Sequence, residues 1–125
     1  MRRCPEPGLG SAVSDLRASA ESFVGHLAHE KRASPHTCSA YRRDLAAAAE
    51  WFESRAIADW ARVTQADVRE LLAARHRAGL KPASLARLVS TLRSFYVWQM
   101  REGLARTNPA VDVRAPKRAA KLPET

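Results

Sequence analysis

A chain of 125 residues, 46% of them hydrophobic, is long enough for one small core and too short for several. Lys and Arg number 21 against 13 Asp and Glu, a formal net charge of +8, which favours a polyanionic partner; nucleic acid is the commonest, with membranes and acidic proteins the others. No apolar run approaches the ~18 residues that span a bilayer, MRRCPEPGLG lacks the apolar stretch of a signal peptide, and Cys4 and Cys38 make neither a CxxC pair nor a disulfide framework.

The expected compartment is therefore a reducing cytoplasm, with no membrane, metal or cofactor. Residues 1–13, with Pro5, Pro7, Gly8 and Gly10, read as a flexible N-terminal tail. Ser14 can cap a first helix with Asp15 in its first turn. Its apolar stripe is Leu16, Ala20, Phe23, Val24, Leu27 and Ala28, and it runs to about Lys31.

Ser34-Pro35 is a helix start, a capping hydroxyl followed by proline at the first helical position. Thr37, Tyr41, Leu45, Ala48 and Phe52 share one face of this second helix, which fades near Arg55. The connector that follows places Ile57, Trp60 and Val63 back on the core. Thr64-Gln-Ala-Asp67 has the form of a capping box, with Asp for the usual Glu. A third helix continues through Val68, Leu71, Leu72 and Ala74 and stops at Gly79.

Pro82 opens the fourth helix and Gly103 closes it. Leu85, Leu88, Val89, Leu92, Phe95, Tyr96 and Gln99 repeat with the period of a helical turn, so one stripe is apolar until its last position. Ser84, Arg87, Ser90, Thr91 and Ser94 fall opposite, with Arg93 on the flank and no carboxylate before Glu102. A merely solvated face mixes both signs of charge. Arginines among small hydroxyl residues suit phosphates and base edges in a DNA groove. After Thr107-Asn108-Pro109, residues 109–125 read as an extended basic linker. No strand alternation or internal repeat appears, and the fold class is all-α.

SPHTCSAYRRDL, IADWARVTQADVRELLA, GLKPASLARLVSTLRSFYVWQMREGLARTNPA and RAPKRAAKLPET, in that order and with those gaps, resemble the N-terminal half of tyrosine site-specific recombinases, in the branch of the bacterial chromosome-dimer resolvases. The resemblance covers roughly residues 15–125. It implies a small four-helix SAM-like orthogonal bundle, the core-binding domain, here residues 14–108. It also implies duplex DNA at a recombination site as ligand, and a second recombinase protomer within a tetrameric synapse as partner. By the same resemblance the second and fourth helices face the major groove. The contacts carried over are His36, Thr37, Arg42 and Arg43 on the second helix, and Lys81, Ser84, Arg87, Ser90, Thr91 and Arg93 on the fourth.

Some of these side chains have a second reading. Thr37 can meet DNA or cap its own helix. Of Arg42 and Arg43, adjacent and so pointing apart, one reaches phosphate. Arg93 can contact DNA or pair with Asp44. The family's reaction needs a tyrosine nucleophile with two arginines, a lysine and histidines, all in a separate C-terminal domain. Tyr41 and Tyr96 lie on apolar helix faces, and His29-Glu-Lys-Arg32 matches an H-x-x-R spacing far from its expected place, so no catalytic residue is assigned. Competing classes are a helix-turn-helix regulator, which needs a short turn and a dimer interface, and a protein-interaction bundle, which would spread its basic residues evenly.

Overall fold

The computed structural model describes residues 11–115, with side chains from Leu16 onward. Most of the expected N-terminal tail, and the linker from Pro116, lie outside the described residues. Four α-helices follow one another, α1 (Ser11–His29), α2 (Pro35–Ser54), α3 (Gln65–Arg77) and α4 (Pro82–Arg101), with a single 3-10 turn at Trp60–Arg62 between α2 and α3. No strand occurs among the described residues, so the all-α expectation is met. The chain divides between Val63 and Thr64 into two compact units.

In the first unit, α1 starts at Ser11, so the expected cap Ser14 lies inside the helix. Nothing between Gly10 and Gly25 interrupts a helix that begins early. It stops at His29, and Arg32 takes a left-handed φ of 54° before Ser34. Ser34 accepts a hydrogen bond from the Thr37 backbone N–H and caps α2, with Pro35 in the first turn. The two helices run antiparallel, because earlier positions of α1 meet later ones of α2. Phe23 stacks on Tyr41 with ring centroids 5.9 Å apart, and Arg17 binds both carboxylate oxygens of Glu53 at 3.1 and 3.2 Å. Leu16, Ala20, Phe23, Val24, Leu45, Ala48, Ala49 and Phe52 are buried. Each large side chain among them contributes about 1.5–3 kcal/mol by leaving water. The connector folds back as its apolar residues require. Trp60 is buried, its ring edge meets Phe52 at 5.8 Å, and its Nε1 donates to the Leu16 carbonyl at 2.9 Å.

In the second unit the capping box is complete. Asp67 N–H donates to Thr64 Oγ1 at 3.1 Å and Thr64 N–H to Asp67 Oδ2 at 2.9 Å. Val68, Leu71 and Leu72 are the buried residues of α3. Gly79 ends that helix with φ 101°, a left-handed value that a side chain resists. All seven residues of the expected α4 stripe are buried, Gln99 included. Gly103 closes α4 with φ 75°. The chain does not then leave for solvent. Ala110 and Val113 are buried, so the first part of the expected linker is docked on its own unit.

Candidate nucleic-acid interface

The outward face of α4 is built by exclusion. Burying Leu85, Leu88, Leu92 and Phe95 turns Ala83, Ala86, Arg87, Ser90 and Ser94 to solvent. Lys81 is exposed and Ser84 half-buried at the start of the same helix. Lys81 occupies the N-cap position without a side-chain cap, and Pro82 follows it. The first N–H groups of α4 and the positive end of its dipole are thus open beside a lysine, an arrangement that suits an anion. From Leu71 to Arg101 the chain has no carboxylate, while Arg75, Arg77, Lys81, Arg87, Arg93 and Arg101 are all cationic. Arg77, exposed in the last turn of α3, is a basic residue that the sequence reading passed over. The run of one charge sign from α3 into α4 was the signal for it.

Two expected contacts of α4 are placed otherwise. The sequence reading puts Thr91 on the outward face, but the structure buries it completely. Thr91 lies one turn after Leu88 and one turn before Phe95, at the edge of the buried arc. A threonine tolerates that position because its methyl packs and its hydroxyl can bond the preceding turn. Arg93 is the second correction. Its Nε donates to the Ala110 carbonyl at 3.0 Å and an Nη to the Val113 carbonyl. The guanidinium that was to choose between DNA and Asp44 instead holds the chain after α4. Asp44 is itself buried.

On α2, His36 and Thr37 are exposed in the first turn, and the Thr37 hydroxyl accepts from Ser34 Oγ at 3.1 Å. Thr37 therefore belongs to the capping cluster, although Ser34 is the cap. Arg42 and Arg43 point apart. The Arg42 guanidinium grips Glu21 of α1, with Nε–Oε2 at 2.9 Å and Nη2–Oε1 at 3.2 Å. That hydrogen bond and charge hold its pKa above the ordinary arginine value, so Arg42 stays charged at any pH the folded chain meets. Arg43 is exposed and makes no hydrogen bond or ion pair among the described residues.

Neither tyrosine is presented for attack on phosphate. Tyr96 is fully buried, and Tyr41 is half-buried under Phe23. No group of three His, Cys, Asp or Glu among the described residues could hold a metal ion. No helix among them is long and apolar enough to cross a membrane.

Comparison with known proteins adds a family to this geometry. The model of the phage integrase N-terminal SAM-like domain matches residues 20–103. The chain belongs to this family. The resemblance to tyrosine recombinases read from the sequence is borne out, as is the SAM-like helical fold. Tyrosine recombinase XerC of Xanthomonas campestris is 40% identical over 120 residues, 96% of this chain and 37% of that protein. XerC of Alcanivorax borkumensis is 47% identical over 103 residues, 82% of this chain and 33% of that protein. The chain thus spans about a third of the length of the curated relatives it matches. Among solved structures, the N-terminal domain of a phage integrase/site-specific recombinase from Haloarcula marismortui superposes with a TM-score of 0.73. It covers 89% of this chain and all of that one at 21% identity, a likeness of fold.

Proposed function

We propose that this domain binds duplex DNA as the core-binding half of a XerC-type tyrosine recombinase in site-specific recombination and chromosome dimer resolution. The observation that carries the reading is the carboxylate-free outward face of α4, where Lys81, Ser84, Arg87 and Ser90 lie along a helix that opens on an uncapped N-terminus. Lys81 and the first N–H groups take a phosphate, Arg87 reaches a base edge or phosphate, and Ser84 and Ser90 leave room for close approach. Arg77 adds a phosphate contact from α3. In the first unit, Arg43 is the arginine of its pair that meets phosphate, with His36 and Thr37 as further contacts at the start of α2. Family membership and the XerC relatives support this reading, and the helix-turn-helix alternative has no support among the relatives.

The domain contributes grip and register, and the chemistry belongs elsewhere in the recombinase. The buried Tyr96 and stacked Tyr41 fit a part of the enzyme that does not itself cut. The whole recombinase would cleave and rejoin DNA in the cytoplasm, in a tetrameric synapse with a XerD-like protomer. The polar side of α1, with His26 and Glu30, is a surface that could meet such a neighbour.

Fluorescence anisotropy of the chain on labelled duplex across a salt series tests the reading. Binding should weaken steeply, with a log–log slope of about −0.9 for each phosphate neutralised. A folded chain that binds no duplex at low ionic strength would overturn it.

A further inference from the structure

Two neighbouring arginines on α2 have opposite fates. Arg43 stands in solvent, while Arg42 is held by both oxygens of Glu21 on α1. The side chains of Arg42 and Glu21 are 53% and 58% exposed, so the pair sits in water where a phosphate can reach it. An arginine fork fits a carboxylate and a phosphate by the same two parallel N–H bonds. The carboxylate and an incoming phosphate are therefore rivals for one guanidinium. An exposed ion pair holds weakly, so the rivalry is one that a polyanion can win at a cost in affinity.

We propose that Glu21 is an internal competitor of nucleic-acid phosphate for Arg42, and that this pair limits the affinity of α2 for DNA. The inference rests on the DNA-binding reading above. It makes Glu21, a carboxylate on a helix assigned no contact, a residue that tunes binding. DNA that takes Arg42 must release Glu21, and the freed carboxylate then repels the same backbone. Removing the carboxylate removes both effects.

The test is a double-mutant cycle on the full 125-residue chain, read by anisotropy on a fixed duplex. Glu21→Gln should tighten binding by about 3- to 10-fold at low salt and steepen the salt slope by about 1. Glu70→Gln, an equal change of charge at an exposed position of α3, should tighten it by less than about 2-fold. Arg42→Ala should cost little in the native chain and should abolish the gain in the Glu21→Gln background. A Glu21→Gln chain that binds no better than Glu70→Gln, or a gain that survives Arg42→Ala, overturns the proposal while leaving the DNA-binding reading intact. Absence of binding by every folded form overturns both. A measurement without substitution runs beside the cycle: the Arg42 Nε–H resonance should move on titration with duplex, and an unmoved resonance under saturating duplex counts against the exchange of partners.

Discussion

Asn108 donates from Nδ2 to the Arg93 carbonyl at 3.2 Å, while the guanidinium of the same Arg93 donates to the Ala110 and Val113 carbonyls. Asn108 Oδ1 also accepts from Ala110 N–H at 3.1 Å. One arginine of α4 and one asparagine beyond it thus satisfy a stretch of backbone that has no helix of its own. Arg93→Ala leaves two carbonyls without these donors, at about 1–3 kcal/mol of stability. Hydrogen exchange at residues 110–113 should rise well before global unfolding. Unchanged protection there would show that Ala110 and Val113 hold the segment by burial alone.

The two faces of α4 should respond oppositely to truncation. Leu92 is fully buried, so Leu92→Ala should cost about 2–5 kcal/mol in a thermal or denaturant melt. Arg87 is exposed, so Arg87→Ala should change the melt little. It should weaken duplex binding by about 1–3 kcal/mol with relaxed preference at one base, or lower the salt slope by about 1 if the contact is to phosphate. An Arg87→Ala chain that unfolds with DNA binding unimpaired per folded molecule would reverse the assignment of faces.

Lys81 sets stability against binding. As an N-cap that makes no side-chain hydrogen bond, it is a poor helix start. Lys81→Ser should raise stability by about 0.5–1 kcal/mol through a new cap. The same change removes a charge and blocks an open N–H, so duplex affinity should fall with a shallower salt slope. Melts and titrations on one preparation would show both, and a gain in each would deny Lys81 its contact.

Ala56 follows α2 with φ 63°, a left-handed value outside glycine's company. Ala56→Gly should stabilise the first unit by up to about 1 kcal/mol, since relief of the side-chain clash outweighs the extra freedom of the unfolded chain. A lower melting temperature would show that the alanine methyl is packed rather than strained.

Catalytic silence should follow from the placement of the tyrosines. On a nicked suicide substrate this chain should leave no covalent protein–DNA band on a denaturing gel. A band lost in Tyr41→Phe or Tyr96→Phe would move that tyrosine from the core to the chemistry.

Helix boundaries were legible in the sequence because they are local. Ser34-Pro35, Thr64 with Asp67, Gly79 and Gly103 each act on a backbone within a few residues, and each does so in the structure. The α4 stripe was legible for the same reason, since a helical period needs no knowledge of what it packs against. The candidate face of α4 followed from that stripe by subtraction. What tertiary structure alone decided lies where partners are far apart in the chain. Glu21 meets Arg42 across 21 residues, and Arg93 reaches Ala110 and Val113 across 17 and 20. A guanidinium on a helix surface accepts phosphate, carboxylate or carbonyl with nearly equal geometry, so its residue type names none of them. Thr91, at the border of its arc, is buried by a margin of helix rotation that an alternation of letters does not resolve. Local chemistry determined the helices and their faces, and the folding of distant segments onto them selected which arginines remained open to a ligand.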